Sequence, residues 1–198
     1  MTHRTAMIYH SDDFYDEAFT HVDATGADLS GKVFEGCSFT NCTFSNTALT
    51  NTTFENCTFL SSSLMMSEVL RTTFDGVRFE ACKIAGINFS TLNDFCINLV
   101  FTGTKLISCT FTGLDLRNTP FSNSVIEGSN FRECNLRGTD FTNVQFRTTT
   151  FSSCAFKGAD FRGAAGFTIN PCHNDLKGAT FDRANAFQLL QPFGIVLG

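Results

Sequence analysis

Cysteine and histidine are the residues of this chain best suited to chemistry. Nine cysteines could serve as nucleophiles, disulfide partners or zinc ligands. The spacing argues against all three. No C-x-x-C pair occurs, so the zinc signal is poor. His3, His10 and His21 fall near the start and His173 near the end, and none shares an obvious constellation with a nucleophile. His10 with Asp12 and Asp13 could hold a metal, but polar surface residues are the simpler reading. No glycine-rich phosphate loop or Walker-type motif is present. The residues therefore predict no catalytic site, no metal and no cofactor.

Seven of the nine cysteines, Cys37, Cys42, Cys57, Cys82, Cys109, Cys134 and Cys154, stand two residues before a large apolar residue. Those large residues recur at every fifth position. Phe14, Phe19, Phe34, Phe39, Phe44, Phe54, Phe59, Phe74, Phe79 and Phe89 share one register, with Leu29, Leu49, Leu64, Val69 and Ile84 in other slots. A second register runs from Phe101 through Phe111, Phe121, Phe131, Phe141, Phe146, Phe151, Phe156 and Phe161 to Phe181. Together the two series hold 20 of the 24 phenylalanines.

Neither an α-helix nor a flat strand has a period of five, so the pattern is a tandem repeat. Each unit has one small and one large inward position, separated by an outward residue. That fits a very short strand followed by a corner. Cysteine in the small position reads as a compact apolar filler. Parallel stacking of Cys37 over Cys57, and of Cys134 over Cys154, sets the Cβ atoms too far apart for an easy disulfide. Reduced, buried thiols in a cytoplasmic protein are expected.

Units such as Ala27-Asp28-Leu29-Ser30-Gly31, Cys134-Asn135-Leu136-Arg137-Gly138 and Ala159-Asp160-Phe161-Arg162-Gly163 resemble the pentapeptide-repeat family over roughly residues 14–181. The resemblance implies an all-β, right-handed quadrilateral β-helix with four units per coil. Residues twenty apart then stack at about 4.8 Å, giving about eight coils and a rod roughly 40 Å long. The expected organisation is a β-helix over 1–181 and a C-terminal segment over 182–198 acting as cap or dimer seam. The register slips by two between Phe89 and Phe101, so a bulge, kink or contact loop is expected over 90–100. A weaker fault falls at Gly166 and Pro171, where Phe167 and Ile169 could plug the core.

Two outward columns follow from the twenty-residue stacking. Glu35, Glu55 and Asp75 form an acidic column, and Arg117, Arg137, Lys157 and Lys177 a basic one, with Asp115, Asp140, Asp160 and Asp175 near enough for surface salt bridges. Residues 1–95 hold twelve acids and five bases, whereas 96–198 hold seven acids and nine bases, within a formal net charge of −5. Stacked like charges cost stability, which singles out the acidic column as a partner-binding surface and the basic column as a second contact.

Helical spacing of Ala186, Leu189, Leu190 and Phe193 predicts a short amphipathic α-helix over 183–191, ended by Pro192 and Gly194 and followed by an Ile-Val-Leu strand. The string Ala186, Leu189, Leu190, Phe193, Gly194, Ile195 resembles the tail of the family's topoisomerase-interacting resistance group, which includes the Qnr, MfpA, McbG and AlbG proteins. That resemblance implies a homodimer through the tail, with Ala186, Leu189, Leu190, Phe193 and Ile195 at the seam. It also implies a DNA mimic that binds DNA gyrase or another type II topoisomerase and counters a poison of the albicidin, microcin or quinolone type. The 14–89 series carries no insertion, so the projecting loops of many Qnr proteins are absent. No membrane partner and no direct nucleic-acid contact are expected, and no signal peptide or transmembrane run is read from the sequence. The alternative is a repeat scaffold or regulatory protein with a different partner.

Overall fold

The computed structural model describes residue 8 and residues 11–93 and 97–195. His3, His10, Asp94, Phe95, Cys96 and most of the anticipated Ile-Val-Leu strand lie outside the described residues.

An inward residue flanked by two outward ones makes a strand only three residues long. Asp13–Tyr15, Val33–Glu35 and Thr53–Glu55 are such strands, and each pairs in parallel with the strand one coil away. Phe14 faces Phe34, Phe34 faces Phe54, and Phe54 faces Phe74, so the coil is twenty residues. Ala18–Thr20, Ser38–Thr40 and Thr58–Leu60 repeat the pattern on the next side. Thr43–Ser45, Ser63–Met65, Lys83–Ala85, Lys105–Ile107, Val125–Glu127 and Gln145–Arg147 build the third side. Single bridges such as Asp28 to Ala48 begin the fourth, and Thr110–Thr112, Asn130–Arg132 and Thr150–Ser152 continue it. The result is a four-sided parallel β-helix.

The large residues fill its axis. On the second side, Phe19, Phe39, Phe59, Phe79, Phe101, Phe121, Phe141, Phe161 and Phe181 form an unbroken stack with ring centroids 4.6–5.5 Å apart. Rings on adjacent sides of the same coil meet edge to face, as Phe34 and Phe39 do at 5.4 Å. Both arrangements suit the ring quadrupole. Phe167 and Ile169 are buried and plug the late fault, with Phe167 packed against Phe161 and Phe181.

The small inward position does more than fill space. Where it is Ser, Thr or Cys, its side chain commonly donates a hydrogen bond to the carbonyl at the large position 23 residues earlier. Thr47 donates to Ala24, Thr52 to Leu29, Thr72 to Leu49 and Thr139 to Leu116, at 2.7–3.0 Å. The Sγ atoms of Cys57, Cys82, Cys134 and Cys154 make the equivalent contact at 3.2–3.4 Å. The reading of these cysteines as apolar fillers is therefore incomplete: they are weak donors sharing one role with serine and threonine.

The register slip is absorbed within one coil. Thr104 and Cys109 reach back 25 residues, to Phe79 and Ile84, in place of 23. Thr73–Glu80 runs as one eight-residue strand through Gly76 and pairs with Ile97–Thr102, with a bulge between Ile97 and Leu99. Leu99 and Val77 occupy small positions there and are fully buried.

The C-terminal helix differs from expectation. Ala186–Phe193 is a 3-10 helix, shifted toward the C-terminus and containing Pro192. Gln188 N–H bonds to Asn185 O and Gly194 N–H to Gln191 O, each at 3.0 Å. Proline supplies no N–H and clashes with the carbonyl four residues back, so the tighter winding replaces a regular α-turn.

Most corners pass through left-handed backbone two residues after the large position. Glycine or asparagine usually occupies it, but Thr148 does so at φ 47°. A β-branched residue is unfavourable there. Thr148→Asn is expected to raise stability by about 0.5–1 kcal/mol, and Gly166→Ala to lower it by about 2 kcal/mol or more. The latter would set a Cβ 2.2 Å from the carbonyl oxygen of Phe146. Urea titrations of the three proteins check both. Burial also raises the thiols of Cys82 and Cys109 to about 11, from an ordinary 9.0. The unfolded chain then loses these protons first, so both thiols contribute a fall in stability as pH rises from about 9 to about 11. In native protein near pH 8, alkylation of exposed Cys172 is expected to outpace that of Cys82 and Cys109 by at least ~100-fold, as read by peptide mass spectrometry.

Candidate functional site

The interior is closed by stacked rings, so the functional surfaces are the outside of the rod and its ends. Among the described residues no group of three or more His, Cys, Asp or Glu side chains could hold a metal ion. His173 and exposed Cys172 line an open depression with Ser153, Cys154 and Asp175 near the C-terminal end. No described helix is long and apolar enough to cross a membrane.

The acidic column is real as geometry. Glu35 is directly opposite Glu55, and Glu55 opposite Asp75, on paired strands. None of the three forms an ion pair among the described residues. Carboxylates one strand apart repel, so the stack is a cost that packing of Phe34, Phe54 and Phe74 beneath it must offset. Asp13, Asp16 and Glu17 extend the negative charge toward the N-terminal end and are exposed. Glu80 differs: it is bonded to Arg78 at 3.0 Å.

The basic column stacks equally well. Asn118 N–H bonds to the carbonyl of Arg137, Gly138 N–H to that of Lys157, and Gly158 N–H to that of Lys177. Arg117 is bound to Asp115 at 2.7 Å, and this pairing raises its pKa. The backbone N–H of Lys177 bonds to Asp175 at 3.0 Å. Asp160 pairs with Arg162 rather than Lys157, and Asp140 accepts from the N–H of Thr142. Arg137, Lys157 and Lys177 form no ion pair among the described residues.

The two columns lie on one side of the rod, and counting by twenty does not reveal it. Phe74 directly precedes Phe79 along the coil, and Leu116 directly precedes Phe121; Phe79 and Phe121 belong to the same ring stack through Phe101. Asp75 and Arg117 are therefore equivalent outward positions 42 residues apart. The two extra residues of the slip hide the alignment. Along this side the outward residue reads Tyr15, Glu35, Glu55, Asp75, Asn98, Arg117, Arg137, Lys157, Lys177, so charge changes sign halfway.

At the C-terminal end, Leu189 packs on the core while Phe187, Phe193 and Ile195 stay exposed, at 44%, 51% and 50%. Ala186 and Leu190 are half-buried beside them. Asn185 ties the segment down through its Nδ2, which donates to the Ala164 carbonyl at 2.6 Å. Phe187 adds to the apolar end surface; it was not anticipated because it falls off the helical spacing. A second apolar group, Leu60, Met66 and Leu70, is exposed around the third coil.

The model of the pentapeptide repeat region matches residues 32–99 and 96–161. A trypsin-treated form of QnrB1, described as a plasmid-mediated fluoroquinolone resistance protein, is similar in fold at 20% identity and a TM-score of 0.73. The similarity covers 94% of this chain and 90% of that one. Full-length QnrB1 is similar at 20% identity and a TM-score of 0.71, covering 92% and 90%. No curated protein sequence matches. Stacked five-residue units, paired in parallel every twenty residues and matched by the repeat model over most of the length, place this chain in the pentapeptide-repeat family.

Proposed function

We propose that this rod binds a type II topoisomerase, chiefly DNA gyrase, as a dimeric DNA mimic. Its effect would be resistance or self-immunity to a gyrase poison of the albicidin, microcin or quinolone type. The observation that carries the reading is the unpaired column Glu35, Glu55, Asp75 on a narrow, rigid rod. Three carboxylates at strand spacing present charge at intervals comparable to a nucleic-acid backbone. The fold shared with QnrB1 supports it, as does the exposed apolar tail, which offers Phe187, Phe193 and Ile195 to a second copy. The action is binding, with no chemistry asked of any side chain.

Magnitude limits the mimicry. Duplex DNA of ~40 Å carries roughly 23 negative charges, against a net −5 for the whole chain. The acidic half alone must then do the imitating, with shape supplying the remainder. The basic half of the same side favours a second reading, a scaffold whose partner surface is itself of mixed charge.

In a supercoiling assay with matched host gyrase, micromolar protein is expected to inhibit the enzyme or to relieve albicidin or ciprofloxacin. The triple change Glu35→Lys, Glu55→Lys, Asp75→Lys is expected to weaken that effect about tenfold or more. No effect of the parent protein on gyrase, with or without poison, would overturn the proposal; unchanged potency of the variant would remove the column from it. Leu189→Asp with Leu190→Asp is expected to convert a dimer at moderate salt to a monomer by light scattering. A protein that is monomeric before the change leaves the tail as a cap alone.

A further inference from the structure

We propose that the two-signed side of the rod docks on the same side of a second copy, turned end for end. The inference is independent of any topoisomerase partner and of the tail.

The argument is one of matched spacing. Successive outward positions rise by about 4.8 Å per coil and run Glu35, Glu55, Asp75, Asn98, Arg117, Arg137, Lys157, Lys177. A two-fold axis midway between the Asn98 and Arg117 positions sets Asp75 opposite Arg137 of the other copy. The same operation sets Glu55 opposite Lys157 and Glu35 opposite Lys177, and symmetry repeats all three pairs. The central position brings Asn98 to Arg117, whose charge is already taken up by Asp115. Six charges left without an ion pair in one copy are therefore each met by an opposite charge in the other.

The surface between the charges allows the approach. The outward residues on the other edge of this side are short and half-buried at Val33, Thr53, Thr73, Asn135 and Ala155, and are exposed carboxylates at Asp13, Asp115 and Asp175, near its two ends and its middle. The short residues leave a shallow, flat sheet face from which only the charged side chains project. Such a contact is isologous, since one patch serves both copies. A parallel arrangement of the same faces would set carboxylate on carboxylate and cation on cation. The charge pattern thus selects direction as well as partner.

One side of so narrow a rod buries less than the ~1,200 Å² of a stable complex. Exposed ion pairs each contribute little and are screened by salt. The association is therefore weak, reversible and strongest at low ionic strength.

Sedimentation velocity tests it, in a background carrying Leu189→Asp and Leu190→Asp to remove any tail contact. At about 20 mM salt, where the screening length is long, this protein is expected to show a monomer–dimer equilibrium at ~100 µM. At about 500 mM salt the association constant is expected to fall at least tenfold. Arg137→Glu with Lys157→Glu is expected to be monomeric at low salt, as is Glu55→Lys with Asp75→Lys. Mixing the two double variants, or combining all four changes in one chain, is expected to restore the dimer. A monomer at low salt in the tail-altered background overturns the proposal. So does a dimer unmoved by either reversal, or a folded four-change protein that stays monomeric. If a reversal variant fails to fold by circular dichroism, Arg137→Gln with Lys157→Gln replaces it, with the same expected loss of dimer.

Discussion

The whole molecule depends on each coil satisfying the backbone of the coil beneath it. A twenty-residue turn has no room for internal helices or antiparallel hairpins, so backbone hydrogen bonding runs largely between successive coils. The small inward position reinforces this coupling. Its hydroxyl or thiol donates to a carbonyl one coil back, from Thr47 near the start to Cys154 near the end. Because a buried acceptor left without its donor is costly, the small slot favours side chains that are both compact and able to donate, although Val77, Leu99 and Val144 fill it without donating. Cys, Ser and Thr meet both conditions; alanine, as at Ala159, meets only the first.

Much of the architecture was legible in the sequence because a five-residue period has few physical solutions. The large positions, the small positions and the location of the slip could all be read from spacing; the twenty-residue stacking interval came from the family resemblance. The second role of cysteine could not, because a thiol in a small slot looks the same whether it fills space or donates. The tail was misread for a specific reason. Ala186, Leu189, Leu190 and Phe193 fit an α-helical period, but a segment this short with Pro192 inside it settles into 3-10 winding. The charged columns were each legible by counting twenties. Their shared side was not, because the count must pass through a bulge that adds two residues.

The surface electrostatics follow from that geometry. Carboxylates at 35, 55 and 75 and cations at 137, 157 and 177 lie along one line, with a neutral residue and a self-compensated arginine between them. A partner approaching from this side meets a field that reverses along its length. A uniformly negative imitation of a duplex would use only the first half. Any contact engaging the full length must carry both signs itself. The exposed tail is different in kind, an apolar end surface whose driving force is burial and not charge.

The slip between Phe89 and Phe101 has a consequence for how such a chain can change length. The extra residues are taken up once, between Phe89 and Phe101, where Phe79 pairs with Phe101 and Lys83 with Lys105, so the halves stay in phase and every surface line continues across the join. Adding one further five-residue unit would turn the second half by a quarter revolution and carry its cations round to a neighbouring wall. Only a duplication of a whole winding, twenty residues at a time, would lengthen the molecule while leaving its outer decoration aligned. The rod can thus tolerate a local stumble more readily than the gain of a single well-formed module.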